Sequence, residues 1–410
     1  MTNFTEKLQE YARIVVQIGV NIQPDQLLFI NTPLECADFA RMLQEEAFKQ
    51  GARDVYLNWG DEKSARTRYL LGKEEIFSEF PDWQRDRQMY YATKGAAFIS
   101  ISSSDPDLFN GVDQNKILLS KRAAGEALID YRQMLMNNEN RWCVISIPTE
   151  KWAKKVFPES QDPTADLWES IFKAVRIGRG DAVALWQEHK LFLEKACAFL
   201  NAKAFTQLRY RNSLGTDFTL GLPKGHIWLG GAEKARDGID FIANMPTEEV
   251  FTVPDMATAT GTVHASKPLI YNGTTIKDMV LTFAEGKVVE YSAAEGVEAL
   301  EALLATDSRS AYLGEVALVP YNSPISESGI LFYNTLFDEN ASCHLAFGKA
   351  YPTCIEGGDK LTTKELLERG VNDSLTHEDF MLGTSDLEII GTTEAGEEIV
   401  IFKDGNFACL

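Results

Sequence analysis

At 410 residues the chain is too long for one simple hydrophobic core, so two domains are expected. Its 45% hydrophobic and 10% aromatic content is that of a globular protein, and no run approaches the ~18 apolar residues of a membrane helix, which excludes a spanning segment. A net charge of −20, with no cluster of Lys and Arg, excludes nucleic acid, because a phosphate backbone is bound by concentrated positive charge.

The opening Met-Thr-Asn-Phe-Thr-Glu has neither the basic nor the apolar region of a secretory signal. The six cysteines (Cys36, Cys143, Cys197, Cys343, Cys354, Cys409) contain no C-x-x-C pair, which points to free thiols in a reducing cytoplasm. In that setting Asn272-Gly-Thr is a chance match to a glycosylation acceptor.

Along the chain, an amphipathic helix is expected from Thr5 to about Ile18, ended by Gly19. Apolar runs at 26–31, 54–59, 96–102 and 142–147 read as strands, with helices over 35–50 and 114–137 between them. Strands alternating with helices describe an N-terminal, mainly parallel βα-repeat domain, residues 1–180. Helices follow at 167–176 and 181–202. Beyond Phe205 the texture turns to Gly-punctuated strand patterns, with a hairpin joining 279–283 to 287–291 and helices at 296–305 and 363–368. Residues 181–410 read as an α+β metal-binding domain, and the chain as a whole as α/β.

The first half lacks both G-x-G-x-x-G and the G-x-x-x-x-G-K-[ST] phosphate loop, and no G-x-S-x-G or H-E-x-x-H occurs anywhere. The polar stretch Ser102-Ser-Ser-Asp-Pro-Asp follows a strand, where a doubly wound sheet binds ligands, but it reads better as a capped turn. The last third is richer. It holds Glu249, Glu315, Glu339, His344, Tyr351, His377 and Asp379, including two of only five histidines. In a strand, His377 and Asp379 point the same way. A lone Glu315 inside Leu-Gly-Glu-Val-Ala-Leu-Val is buried, and a buried carboxylate needs a partner or a metal. Mixed imidazole and carboxylate donors suit Zn, Co, Mn or Mg, and carboxylates in excess of histidines suggest two cations. His189, His226 and His264 have no ligand partner nearby in sequence and read as structural.

Four segments, in this order, resemble the aminopeptidase T / aminopeptidase PepS family of dinuclear metalloaminopeptidases. They are Asn244-Met-Pro-Thr-Glu-Glu-Val-Phe-Thr, Leu313-Gly-Glu-Val-Ala-Leu-Val-Pro, Phe332 through Tyr351, and His377-Glu-Asp-Phe-Met-Leu-Gly. Trp152-Ala-Lys-Lys-Val-Phe-Pro and Gly215-Thr-Asp-Phe-Thr-Leu-Gly-Leu-Pro extend the likeness over nearly the whole chain. The resemblance implies a cytosolic, dimeric exopeptidase that acts on peptides with a free N-terminus. It implies ligand positions at Glu249, Glu315, Glu339, His344, Tyr351, His377 and Asp379.

The chemistry expected is peptide hydrolysis by a metal-activated water, with Glu315 bridging two cations and Glu339 as general base. Glu315, Glu339 and Tyr351 are the catalytic candidates, and Tyr351 is either a ligand or a hydrogen-bond donor to the oxyanion. Two alternatives stand beside this. One is a dinuclear hydrolase of another amide or ester. The other is a non-enzymatic binding protein with a structural cation site, whose coordination shell would be closed.

Overall fold

The structure, a computed structural model, describes residues 3–103, 105–271 and 274–410. Ser104 of the polar 102–107 stretch and the Asn272-Gly273 pair lie outside the described residues. The N-terminal stripe forms helix Phe4–Ile14, with Asn3 and Glu6 exchanging side-chain-to-amide hydrogen bonds in a capping box. It buries Tyr11, Ala12 and Ile14, and its last turn widens into a π turn, Val15–Gly19.

The four apolar runs of the first half are strands Leu27–Pro33, Asp54–Gly60, Ala97–Ile101 and Trp142–Ile145. With a fifth strand, Asn244–Met245, they make one sheet in which all neighbours are parallel. Its order across the sheet is 244–245, 142–145, 97–101, 27–33, 54–60. Leu28, Phe29, Ile30, Ala97, Phe98 and Ile99 are all buried, as expected for strands covered on both faces. The fifth strand was not anticipated, because two residues carry no periodicity.

The helix expected over 114–137 is two helices, Gln114–Ala127 and Ile129–Met136. Leu128 leaves helical geometry at the break and is itself buried, and the second helix sets Tyr131 edge-on to Phe98, ring centroids 5.3 Å apart. Helices Glu62–Leu71, Asp82–Thr93 and Glu150–Val156 were not anticipated either. The first buries no residue and the second only Ala92, so neither shows an apolar stripe.

By its internal packing the chain divides into two compact units, residues 1–188 with 232–246, and residues 189–231 with 247–410. The parallel sheet belongs to the first. The second holds two large antiparallel sheets and a two-stranded ladder, Leu269–Tyr271 with Thr274–Ile276. One has eight strands, in the order 287–292, 280–284, 260–264, 217–221, 205–211, 388–393, 398–403, 406–407, and contains the expected hairpin as Val280–Ala284 with Lys287–Ser292. The other has five: His377–Met381, His344–Gly348, Leu313–Leu318, Val250–Thr252 and Leu229–Gly230. A continuous apolar core joins residues of both sheets, among them Phe205, Phe218, Leu313, Phe347 and Phe380. Every residue of Leu313–Leu318 is buried, so the acidic residue in that strand, Glu315, is largely withdrawn from bulk water.

Candidate metal centre

The five-stranded antiparallel sheet brings the acidic and imidazole side chains to one face. Glu315 pairs with Ala346, and Ala346 pairs with Asp379, so these three form a row across three strands. His344 lies two residues before Ala346, and His377 two before Asp379, which puts both rings on that same face. Small partners make room for them: Ala317 stands opposite His344, and Gly348 opposite His377. A β-bulge shifts the register between Leu313 and Glu315. At the bulge, a side chain on Gly314 would lie 2.4 Å from the Gly348 carbonyl. Gly348 itself has φ +89°, and a side chain there would meet the Thr376 carbonyl at 2.2 Å. The strands flanking the site thus close on glycine.

Glu249 reaches the same face from the loop ahead of Val250–Thr252. His344 Nε2 lies 3.2 Å from a Glu249 oxygen and 3.4 Å from Glu315 Oε1. His377 Nε2 lies 3.9 Å from Glu315 Oε2 and 3.6 Å from Asp379 Oδ1. The donors therefore form two triads, Glu249–Glu315–His344 and Glu315–His377–Asp379, each with its ligand atoms within 4.8 Å of one another. Glu315 belongs to both.

Both imidazoles are oriented through the other nitrogen. His344 Nδ1 donates to the Ser342 carbonyl at 3.0 Å, and His377 Nδ1 donates to the Lys349 carbonyl at 2.7 Å. A carbonyl only accepts, so in the neutral ring the lone pair sits on Nε2, facing the carboxylates.

The electrostatics show what the cluster requires. Burial opposes charge on His344, but its hydrogen bonds to Glu249 and Glu315 outweigh this and hold the imidazolium well above its usual pKa. Burial raises the Glu315 carboxyl, and Asp379 and Glu249 add to the effect. Glu339, on the short 3-10 turn Glu339–Ala341, is pushed well above the carboxylate range by desolvation and by the negative charges of Glu249 and Asp379. The Tyr351 phenol is also raised by burial and by the carboxylates around it, and its ring lies 5.2 Å from His377 and 5.9 Å from Phe251. Asp379 Oδ1 is buried without a hydrogen-bond partner. Hard oxygens crowded together, two imidazole nitrogens aimed among them and an orphaned carboxylate oxygen fit divalent cations.

Of the seven residues singled out in sequence, five fall in the two triads. Glu339 and Tyr351 share the electrostatic environment but stand outside the triads. His226, whose Nδ1 bonds the Pro223 carbonyl, and His264 belong to neither triad.

A supporting layer had no sequence signal. The Glu248 amide donates to Asn340 Oδ1 at 2.7 Å, and Asn340 Nδ2 donates to the Leu336 carbonyl at 3.0 Å. His189 Nε2 lies 2.8 Å from the Thr247 carbonyl and 3.5 Å from a Glu248 oxygen. Glu248 and Asn340 are 92 positions apart, and His189 and Thr247 are 58 apart, beyond any local pattern.

The chain matches the family model described as thermophilic metalloprotease (M29) over residues 4–407. It is 47% identical over 410 residues to Aminopeptidase 2 of Geobacillus stearothermophilus, covering 100% of this chain and 99% of that one. It is 35% identical over 409 residues to Aminopeptidase T of Thermus thermophilus, covering 99% and 100%. The solved structure of wild-type AmpT from Thermus thermophilus superposes with a TM-score of 0.93 at 34% identity, covering 99% of this chain and 100% of that chain. These relatives include the group that the four segments resemble.

Proposed function

The chain belongs to the M29 metalloprotease family, and from that premise we propose that it is a metal-dependent aminopeptidase acting on peptides with a free N-terminus. The observation that carries this reading is the pair of donor triads sharing the buried Glu315. Glu249, Glu315 and His344 would hold one divalent cation, and Glu315, His377 and Asp379 a second, with Zn, Co, Mn and Mg all compatible with such donors. When bound, the cations supply an activated water and polarise the scissile carbonyl.

The protein's own groups do the rest. Glu339 accepts the proton of the attacking water and returns it to the leaving amine nitrogen. Burial holds its proton more firmly than on an exposed carboxyl, which suits a group that must both take and give one. The Tyr351 phenol, kept neutral by its raised pKa, donates a hydrogen bond to the carbonyl oxygen as negative charge develops there. The substrate's free amine would be held by a carboxylate of the cluster or by one cation, which confines cleavage to the first peptide bond. Residues 181–410 form the catalytic portion.

The test is hydrolysis of amino-acid arylamides with metal analysis. Activity is expected to vanish on exhaustive chelation and return with added metal, at two ions per chain. Full activity in the stripped enzyme defeats the reading. The family resemblance also supports a cytoplasmic homodimer, and among the described residues no helix is long and apolar enough to cross a membrane. Light scattering is expected to give twice the 45.8 kDa chain mass.

A further inference from the structure

Glu249 and Glu339 sit on segments that no strand pairing joins, yet their separation decides whether a metal ligand and a proton acceptor face the same substrate. One side chain spans the gap. Asn340 is fully buried, and its single amide group both accepts from the Glu248 N–H and donates to the Leu336 carbonyl. The first bond ties the 247–249 segment to the turn bearing Glu339. The second ties that turn to helix Thr335–Asp338. On its other side the 247–249 segment is held by His189, which bonds the Thr247 carbonyl. Glu248 points toward His189 and is 1% exposed, while its neighbour Glu249 turns to His344.

We propose that Asn340 is a positioning residue that fixes Glu249 and Glu339 relative to each other. The chemistry of the amide explains why this residue type stands there. A carboxylate accepts from Glu248 but has no proton for Leu336, and a hydrocarbon does neither. Groups behind a metal ligand typically matter by ~10–100-fold in metal affinity or activity. A displacement of about 1 Å in a catalytic group costs ~100-fold in rate. The proposal rests on the metallopeptidase reading above.

The experiment titrates metal-stripped full-length enzyme with cobalt(II), following visible absorption, and then measures arylamide hydrolysis at saturating metal. Wild type is run beside Asn340→Ala. The variant is expected to bind cobalt ~10–100-fold more weakly and with a changed absorption band. At full occupancy its kcat is expected to stay lower by at least about 10-fold while KM changes little, because occupancy restores the ion but not the placement of Glu339. If the variant matches wild type in cobalt affinity, spectrum and saturated kcat, Asn340 is a packing residue and the proposal is overturned, whatever happens to its melting temperature. Should the alanine variant not fold, Asn340→Ser is judged by the same three readouts. A wild type that binds no cobalt, or that turns over without metal, overturns the metallopeptidase reading. A metal-dependent wild type beside an indistinguishable variant overturns only the role of Asn340.

Discussion

The parallel sheet of the first unit and the five-stranded antiparallel sheet of the second both bury their central strands, but they bury different things. Strands Leu27–Pro33 and Ala97–Ile101 bury hydrocarbon: Leu28, Phe29, Ile30, Ala97, Phe98 and Ile99. The charged residue beside that sheet, Arg141, is 2% exposed and pairs with Asp237 at 2.7 Å. Leu313–Leu318 is buried at all six positions and carries Glu315 in its interior, facing His344, His377 and Asp379. Equal burial therefore carries opposite energetic meaning. In the first sheet it is favourable by itself. In the second it is unfavourable unless the imidazoles, and the cations proposed for this site, balance the carboxylates.

That contrast can be broken at several points. The largest effect is expected from chelation, which should abolish arylamide hydrolysis. In calorimetry it should also lower the unfolding temperature of the metal-bearing unit, since a ligand at 100 times its Kd adds ~2.7 kcal/mol to the state that binds it. If both units melt as before, the antiparallel sheet does not depend on metal. Next is Glu339→Gln, expected to lower kcat by ~10²–10⁴-fold with metal content intact. A variant with wild-type turnover would remove Glu339 from the proton path.

Phe98→Ala addresses the parallel sheet. It should cost ~3–5 kcal/mol in denaturant unfolding, with kcat per folded molecule unchanged. A selective loss of kcat would mean that hydrocarbon packing there has a catalytic role. The smallest of the four is Tyr351→Phe, expected to reduce kcat by ~10²–10³-fold with little change in stability or metal content. Loss of metal instead would make the phenol a ligand.

The same contrast explains what could be read from sequence. Continuous apolar runs located the parallel strands to within about two residues, because a strand buried on both faces has one composition throughout. Helices Glu62–Leu71 and Asp82–Thr93 escaped notice because they bury almost nothing. The site's residue types and their order were legible, and so was the shared face of His377 and Asp379. Glu315 was expected as the shared carboxylate, but the division of the other donors between the two triads was not legible. Nothing local indicates that the His Nδ1 atoms meet the Ser342 and Lys349 carbonyls, or that Asn340 holds the amide of Glu248. These are consequences of strand register and loop closure, which sequence neighbours do not encode.

Gly314 and Gly348 have a consequence for redesign. Neither offers a side-chain donor, yet each sits where a single methyl group would strike a backbone carbonyl, that of Gly348 for Gly314 and that of Thr376 for Gly348. A saturation library selected for turnover should find these two positions as intolerant as the ligands. Laboratory evolution toward new substrates can vary residues around the centre, but it has to leave both glycines in place.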